Sequence, residues 1–497
     1  VKLCQEGLSV DFILSPLYAL IILTAISPIL AYVSRRFRIE RVMDIYSVAG
    51  LAVVTYFAIT QMLDATFQGS TLTFTSTPRE TASVIFIDKL SAYVTFIFVL
   101  VGLASAIFSI GYIKERKAEY YPLLLTMITG MVGVASSGDF VTFFIFWEVM
   151  SISAYVLVAF RYKSWEAIEA SLKYLIISSA GTAAILFALS LMYGIAGTLN
   201  MNALSKVFGL QDMAGELWSY VILALLLGGL GVNAAMVPFH SWLPDAHPAA
   251  PSPISAMLSG VVIKTGIYAM FRVLTVIFPS SIYNWGMILA LYAAVTMTVG
   301  NLMAMLQEDI KRLLAFSSIA HIGYIVFGIS LATVDGLAGS LLHVLNHATM
   351  KGLLFLSAGA FIHAVGTRNL DELSGIGRKM PISGITFAIG AFSLAGIPGL
   401  SAFVSEFQII TASVEAGMLP FTVIMILNVL IGVAYYLRLV QIIFLKPLTP
   451  VSEKAHEVGP PMLVPVIALA CLGIFIGAYP SPFLEMTKAI AGSLLAH

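Results

Sequence analysis

Pro238-Phe239-His240-Ser241-Trp242-Leu243-Pro244-Asp245-Ala246-His247-Pro248 closes one long apolar segment, and Ala395-Gly396-Ile397-Pro398-Gly399-Leu400-Ser401 cuts through another. Proline removes a backbone donor and glycine loosens a helix, so each stretch predicts an interrupted helix. Unpaired backbone at membrane depth survives only inside protein or beside a water-filled cavity. The two interruptions lie five apolar segments apart. That offset predicts two five-helix units of opposite topology with ion sites beside the breaks, although sequence similarity between the halves is weak. A plain proline kink, common in membrane helices, is the alternative.

The surrounding composition demands a membrane. Of the 497 residues, 59% are hydrophobic and 10% charged, and mean hydropathy is +0.96. A soluble domain is roughly a quarter charged, so this chain has too little charge to cover a water-facing surface. Formal net charge is zero, which gives no reason to expect a nucleic-acid partner. Two cysteines, Cys4 and Cys471, stand near opposite ends and argue against a zinc, iron–sulfur or disulfide framework. The phosphate-binding pattern GxxxxGKS/T is absent, so ATP hydrolysis is not expected. Gly228-Gly229-Leu230-Gly231 reads as a close helix-packing stretch, since no strand precedes it.

A helix needs about 20 apolar residues to cross a bilayer. Fourteen segments qualify: 14–33, 41–63, 84–112, 120–137, 139–160, 166–194, 218–240, 254–278, 284–306, 310–331, 336–364, 381–416, 420–446 and 461–480. Their continuous apolar character excludes the alternation of a membrane barrel. The expected fold is an all-α polytopic membrane protein. Residues 1–113 hold spans 1–3, 114–280 the first five-helix repeat, 281–446 the second, and 447–497 span 14 with a tail. Span 1 is read as a true crossing and not a removed leader, because Arg35, Arg36 and Arg38 follow it with no small-residue cleavage site. The 195–217 loop, with Thr198-Leu199-Asn200, reads as a connector.

Placing residue 1 outside puts 16 of the 26 basic residues in inner loops. Five, Lys2, Arg79, Lys89, Lys206 and Lys488, fall on the outer side. This asymmetry is what the positive-inside rule predicts, and it sets both termini outside. Five more, Lys173, Lys264, Arg272, Lys351 and Arg438, fall within spans.

An ionisable group at the bilayer centre costs roughly 2.5–3.5 kcal/mol or more and faces the protein interior or a water path. Glu148 lies mid-span 5, Lys173 two turns into span 6, Lys264 mid-span 8, His321 mid-span 10 and Glu406 in span 12. His343, His347 and Lys351 follow at spacing four on span 11, so they line one face over ~12 Å. The bland readings are a structural ion pair, a His321 bonded to a backbone carbonyl, and Arg272 and Arg438 snorkelling to the surface. So many titratable groups across spans 5 to 12 are instead what a proton relay requires.

Several motifs occur in order: Phe146-Trp147-Glu148, Pro238 to Ala246, Lys264-Thr265-Gly266-Ile267-Tyr268, Asp309-Ile310-Lys311-Arg312-Leu313 with Ser317-Ser318-Ile319-Ala320-His321, Asn346-His347-Ala348-Thr349-Met350-Lys351, and Pro398 to Glu406. Over spans 3 to 13 the chain resembles the antiporter-like subunits shared by respiratory complex I, Mrp-type sodium/proton antiporters and energy-converting membrane-bound hydrogenases. The 146–205 region looks more like the Mrp and hydrogenase branch. The resemblance implies fourteen helices in two inverted repeats, broken at spans 7 and 12, around a polar axis in the membrane plane. It implies that Glu148 gates the first half-channel, that Lys264 links the halves and that Glu406 ends the axis, with His321 and His347 along it. Pro238, Pro398 and Gly399 then mark the breaks. One departure stands out: the family's span-7 lysine position holds Asn233, and Lys173 is the expected substitute amine for Glu148.

The resemblance further implies proton or sodium translocation in the cytoplasmic membrane of a prokaryote. No cofactor or metal is expected in this chain. Iron–sulfur or other redox centres belong to partner subunits. Those partners are soluble redox subunits on the cytoplasmic side and other membrane subunits, including further antiporter-like ones, with lipid around them. No long lateral helix is expected after span 14. A stand-alone transporter of a small solute is the alternative, and a haem cytochrome using His321 and His347 is a third reading.

Overall fold

The computed structural model describes residues 15–69, 71–75 and 84–496. Lys2, Cys4, Arg79 and the expected start of span 1 at Leu14 lie outside these. Among the described residues, twelve helices are long and apolar enough to cross a membrane, from Pro16–Phe37 to Pro460–Ala478. Two helices are interrupted. Leu217–Asn233 is followed by Trp242–Ala249, and Pro381–Leu394 by Ser401–Glu415. Each half is short, so the expected count of fourteen is reached only by taking each interrupted pair as one crossing.

Three boundaries differ from expectation. Residues 84–87 are not helical: Val84–Ile87 pairs antiparallel with Leu72–Thr75, Leu72 opposite Ile87. Its Val-Ile-Phe-Ile composition suits a strand, and the helix begins at Lys89 behind Asp88, whose side chain accepts from the Ser91 N–H. The span expected over 218–240 stops at Asn233. The expected tail forms a further helix, Ser481–Leu495, with Met486, Thr487, Ile490, Ala491 and Leu494 buried. It packs on the Val334–Val365 helix, and Lys488 Nζ lies 2.8 Å from Asp335.

A repeated corner ties each unit together. The 32-residue helix Trp165–Ala196 ends at Gly197 with φ 68°, and the 32-residue helix Val334–Val365 ends at Gly366 with φ 80°. Glycine adopts this left-handed stop without steric cost. Beyond the stop, Thr198 and Thr367 accept the N–H of Asn200 and Asn369, both at 3.2 Å. The Leu199 and Arg368 carbonyls accept the N–H of Phe140 and Ile310, both at 3.0 Å. Asp139 and Asp309 then cap the Phe140–Val158 and Ile310–Ser330 helices through the same pair of backbone donors. Thr198-Leu199-Asn200 is therefore half of a repeated structural motif, not a bare connector. The two corners stand five helices apart, so corresponding helices run in opposite directions.

Two helices of the second unit form the centre. Every residue of Ile310–Ser330 except Arg312 is buried, as is everything from Gly336 to Phe361. These helices carry His321, His343 and His347, all three buried.

Candidate functional site

Both interrupted helices end in the same turn. Ala235 and Gly396 adopt left-handed φ values of 54° and 71°. The following N–H reaches back five residues, Met236 to Gly231 at 2.9 Å and Ile397 to Phe392 at 3.2 Å. This pattern satisfies carbonyls that a helix end leaves orphaned. The second break requires glycine for another reason. A Cβ at Gly396 would lie 2.5 Å from Glu406 Oε2, so the carboxylate occupies the space a side chain would take. Pro238 lies in the first connection, and Pro398 with Gly399 (φ 89°) lies in the second. Trp242 secures the first break: its Nε1 donates to the Val232 carbonyl at 2.9 Å, and its ring stacks on Tyr174 at 3.9 Å.

Lys264 stands two residues after a π-helical turn, Leu258–Val262, in the Ser252–Ile277 span, which closes on a second such turn, Val273–Ile277. Such turns release backbone groups from the regular ladder and recur at functional sites. Here the Lys264 amine donates to the Ser259 carbonyl. The same Nζ lies 2.5 Å from His347 Nδ1 on the second unit. The His347 ring sits 5.0 Å from that of His321. His321 Nδ1 is 3.0 Å from His343 Nε2 and 3.9 Å from Glu406 Oε1. Lys351 joins from the side, bonding Ser317 Oγ, the Leu314 carbonyl at 3.2 Å and the Tyr436 hydroxyl at 3.1 Å. Tyr436 also meets His321 Nε2 at 3.2 Å. Six of the expected residues thus form one buried row. The haem reading rested on His321 and His347; their ring centroids, 5.0 Å apart, stand too close for an iron macrocycle between them.

The first unit is sparser. Glu148 projects from Phe140–Val158, and its Oε1 is buried with no hydrogen-bond partner among the described residues. Asn233 is 2% exposed. Its Oδ1 accepts the Gly266 N–H at 3.0 Å, two residues from Lys264, while its Nδ2 has no hydrogen-bond partner among the described residues. The expected Lys173–Glu148 pair is not formed. The Lys173 side chain is 48% exposed and its Nζ bonds Glu169 at 2.8 Å and Asp245 at 3.1 Å, and Asp245 also holds Arg312 at 2.8 Å. The rotation of the Trp165–Ala196 helix points this lysine away from the carboxylate.

Arg272 does not snorkel. It is buried and grips Asp88 through two nitrogens, at 2.5 and 2.7 Å. Its Nε donates to the Tyr268 hydroxyl at 3.0 Å. Arg438 bonds the Met305 carbonyl at 2.9 Å. Lys311 and His247 were missed as interior groups. Lys311 is 1% exposed and donates to the Ala250 carbonyl at 2.8 Å and the His247 carbonyl at 3.3 Å. It therefore satisfies the C-terminal end of the Trp242–Ala249 helix, where a cation is favourable. Both His247 nitrogens are buried without a hydrogen-bond partner among the described residues, and the ring stacks on Phe355 at 4.5 Å. The only signal for Lys311 was its place one residue inside a helix capped by Asp309. A second network, Asn301 to Asn428 and Tyr324 at 3.0 Å with Tyr435 onto Asn301 at 3.0 Å, lies beyond the row.

Two five-helix units, each with one broken helix, around a buried row of amines, imidazoles and a carboxylate define an antiporter-like membrane subunit. Residues 137–432 match the family described as NADH:quinone oxidoreductase/Mrp antiporter, transmembrane, and the chain belongs to that family. It is 33% identical over 416 residues to the F(420)H(2) dehydrogenase subunit N of Methanosarcina mazei, covering 82% of this chain and 84% of that one. Its fold is similar to a chain of the Mrp complex from Dietzia sp. DQ12-45-1b, with TM-score 0.90, 25% identity and 98% of each chain covered. A chain of the archaeal membrane-bound sulfane sulfur reductase, a respiratory membrane complex, gives TM-score 0.89, 28% identity and 98% coverage of each.

Proposed function

We propose that this chain translocates protons as the antiporter-like subunit of a redox-driven, multisubunit membrane complex, with the proton crossing between its two units on the row Lys264–His347–His321–Glu406. The 2.5 Å contact of Lys264 Nζ with His347 Nδ1 carries this reading, because it joins a base of one unit to a base of the other. Proton transfer requires groups within hydrogen-bond reach. A hard cation such as sodium favours carboxylate, carbonyl and water oxygens, and nitrogen bases dominate this row. The redox centres, including iron–sulfur clusters, belong to partner subunits on the cytoplasmic side. Further antiporter-like subunits and lipid flank the chain in the membrane, with both termini outside as the basic inner loops require.

Glu406→Gln tests the reading. It keeps the shape of a side chain that is 4% exposed but removes proton exchange. In vesicles carrying the complex and a pH dye, the variant should lose at least about tenfold in proton uptake per turnover, the lower end of what a proton-transfer group supplies. Unchanged uptake would remove Glu406 from the path.

A further inference from the structure

Three ligand atoms of the row converge: Nδ1 of His321, Nε2 of His343 and a carboxylate oxygen of Glu406, all within 4.8 Å of one another. Each imidazole is oriented from behind. His321 Nε2 lies 3.2 Å from the Tyr436 hydroxyl, and His343 Nδ1 lies 2.9 Å from Ser405 Oγ. Ser405 is itself held by Asn346 Nδ2 at 3.0 Å. Glu406 Oε1 is buried, without a hydrogen-bond partner among the described residues, and 3.9 Å from His321 Nδ1.

We infer that His321, His343 and Glu406 form a binding site for a divalent transition-metal ion of the zinc or cobalt class. Two imidazoles and one carboxylate are a common zinc donor set, with a fourth position for water. Tetrahedral bonds of about 2.0–2.1 Å separate two ligand nitrogens by about 3.3 Å. The observed 3.0 Å needs only a slight parting of the rings. Glu406 Oε1, 3.9 Å from His321 Nδ1, closes the third position by swinging toward the imidazole pair. The hydroxyls behind both rings are the outer partners that fix imidazole orientation in metal sites. An ion here takes the lone pairs that a passing proton needs, so metal and proton exclude each other. The nearby amines of Lys264 and Lys351 disfavour a second positive charge, and binding therefore expels protons from the row. The inference concerns binding alone and is measured without transport.

The chain, purified metal-free within its membrane complex, is titrated with Co2+ alone. One Co2+ per chain is expected, with the visible bands of four-coordinate cobalt and two imidazoles in the X-ray absorption fine structure. His343→Ala should abolish those bands, and Ser405→Ala should weaken binding about 10–100-fold. Replacing the remote His363 and His456 by alanine should change neither. No bound Co2+, bands that survive His343→Ala, or fewer than two imidazoles on the wild-type metal would each overturn the assignment. The imidazole count on the wild type decides the matter even where His343→Ala fails to assemble.

Discussion

Lys264 Nζ, in the first five-helix unit, lies 2.5 Å from Nδ1 of His347, in the second. Each unit carries its own carboxylate, Glu148 in the first and Glu406 in the second, and this contact bridges the two units along the row. The π-helical turn before Lys264 and the Asn233 bond just after it both set where that amine sits. Backbone irregularity in one unit thereby accompanies an amine placed against an imidazole of the other.

Glu148→Gln should lower proton translocation at least about tenfold while leaving thermal unfolding unchanged. Its buried Oε1 has no partner among the described residues, so no ion pair is lost with the charge. Vesicle uptake with a pH dye and an unfolding curve on the same preparation check both halves. Wild-type uptake would make Glu148 a bystander.

Asn233→Ala tests a structural role that replaces the expected lysine chemistry. The substitution strands the buried Gly266 N–H, at a cost of about 1–3 kcal/mol. Unfolding temperature should drop, and uptake should fall several-fold because Lys264 loses its seat two residues away. A variant matching the wild type in both would show that the site is vestigial.

Much of this is legible in the sequence. Apolar runs of about 20 residues betray membrane helices, and Pro238, Pro398 and Gly399 betrayed the breaks. Spacing of four put His343, His347 and Lys351 on one helix face, and all three reach the row. What failed was direction and pairing. Depth along a helix is readable from sequence, but the rotation that turns Lys173 to Asp245 is not, because that helix lacks a clear apolar stripe. The partner of Arg272 is 184 positions away, at the foot of a short hairpin. The Val84–Ile87 strand was absorbed into a helix because a four-residue apolar run has no period to distinguish the two.

Arg272→Ala should act on stability, unlike a change in the row. Arg272 and Asp88 are 7% and 19% exposed, and removing one partner of such a pair costs about 3–5 kcal/mol. Burial pushes the Asp88 carboxyl up, but Arg272 and the Ser91 donors outweigh that and hold it below its ordinary value. A lowered carboxyl adds stability that is complete above the ordinary value and is lost as pH falls through the folded one. The wild type should therefore lose stability below about pH 4, and Asp88→Asn should flatten that limb. Identical acid limbs in unfolding curves would refute the linkage.

The central claim is that the proton passes from Lys264 to His347, and the most direct measurement is the number of protons moved per electron in vesicles carrying the complex with Lys264→Met. The methionine keeps the bulk of the lysine stem and cannot exchange a proton. The account predicts that this ratio falls while the complex stays assembled and its unfolding temperature holds. A wild-type ratio in the Lys264→Met complex would contradict it.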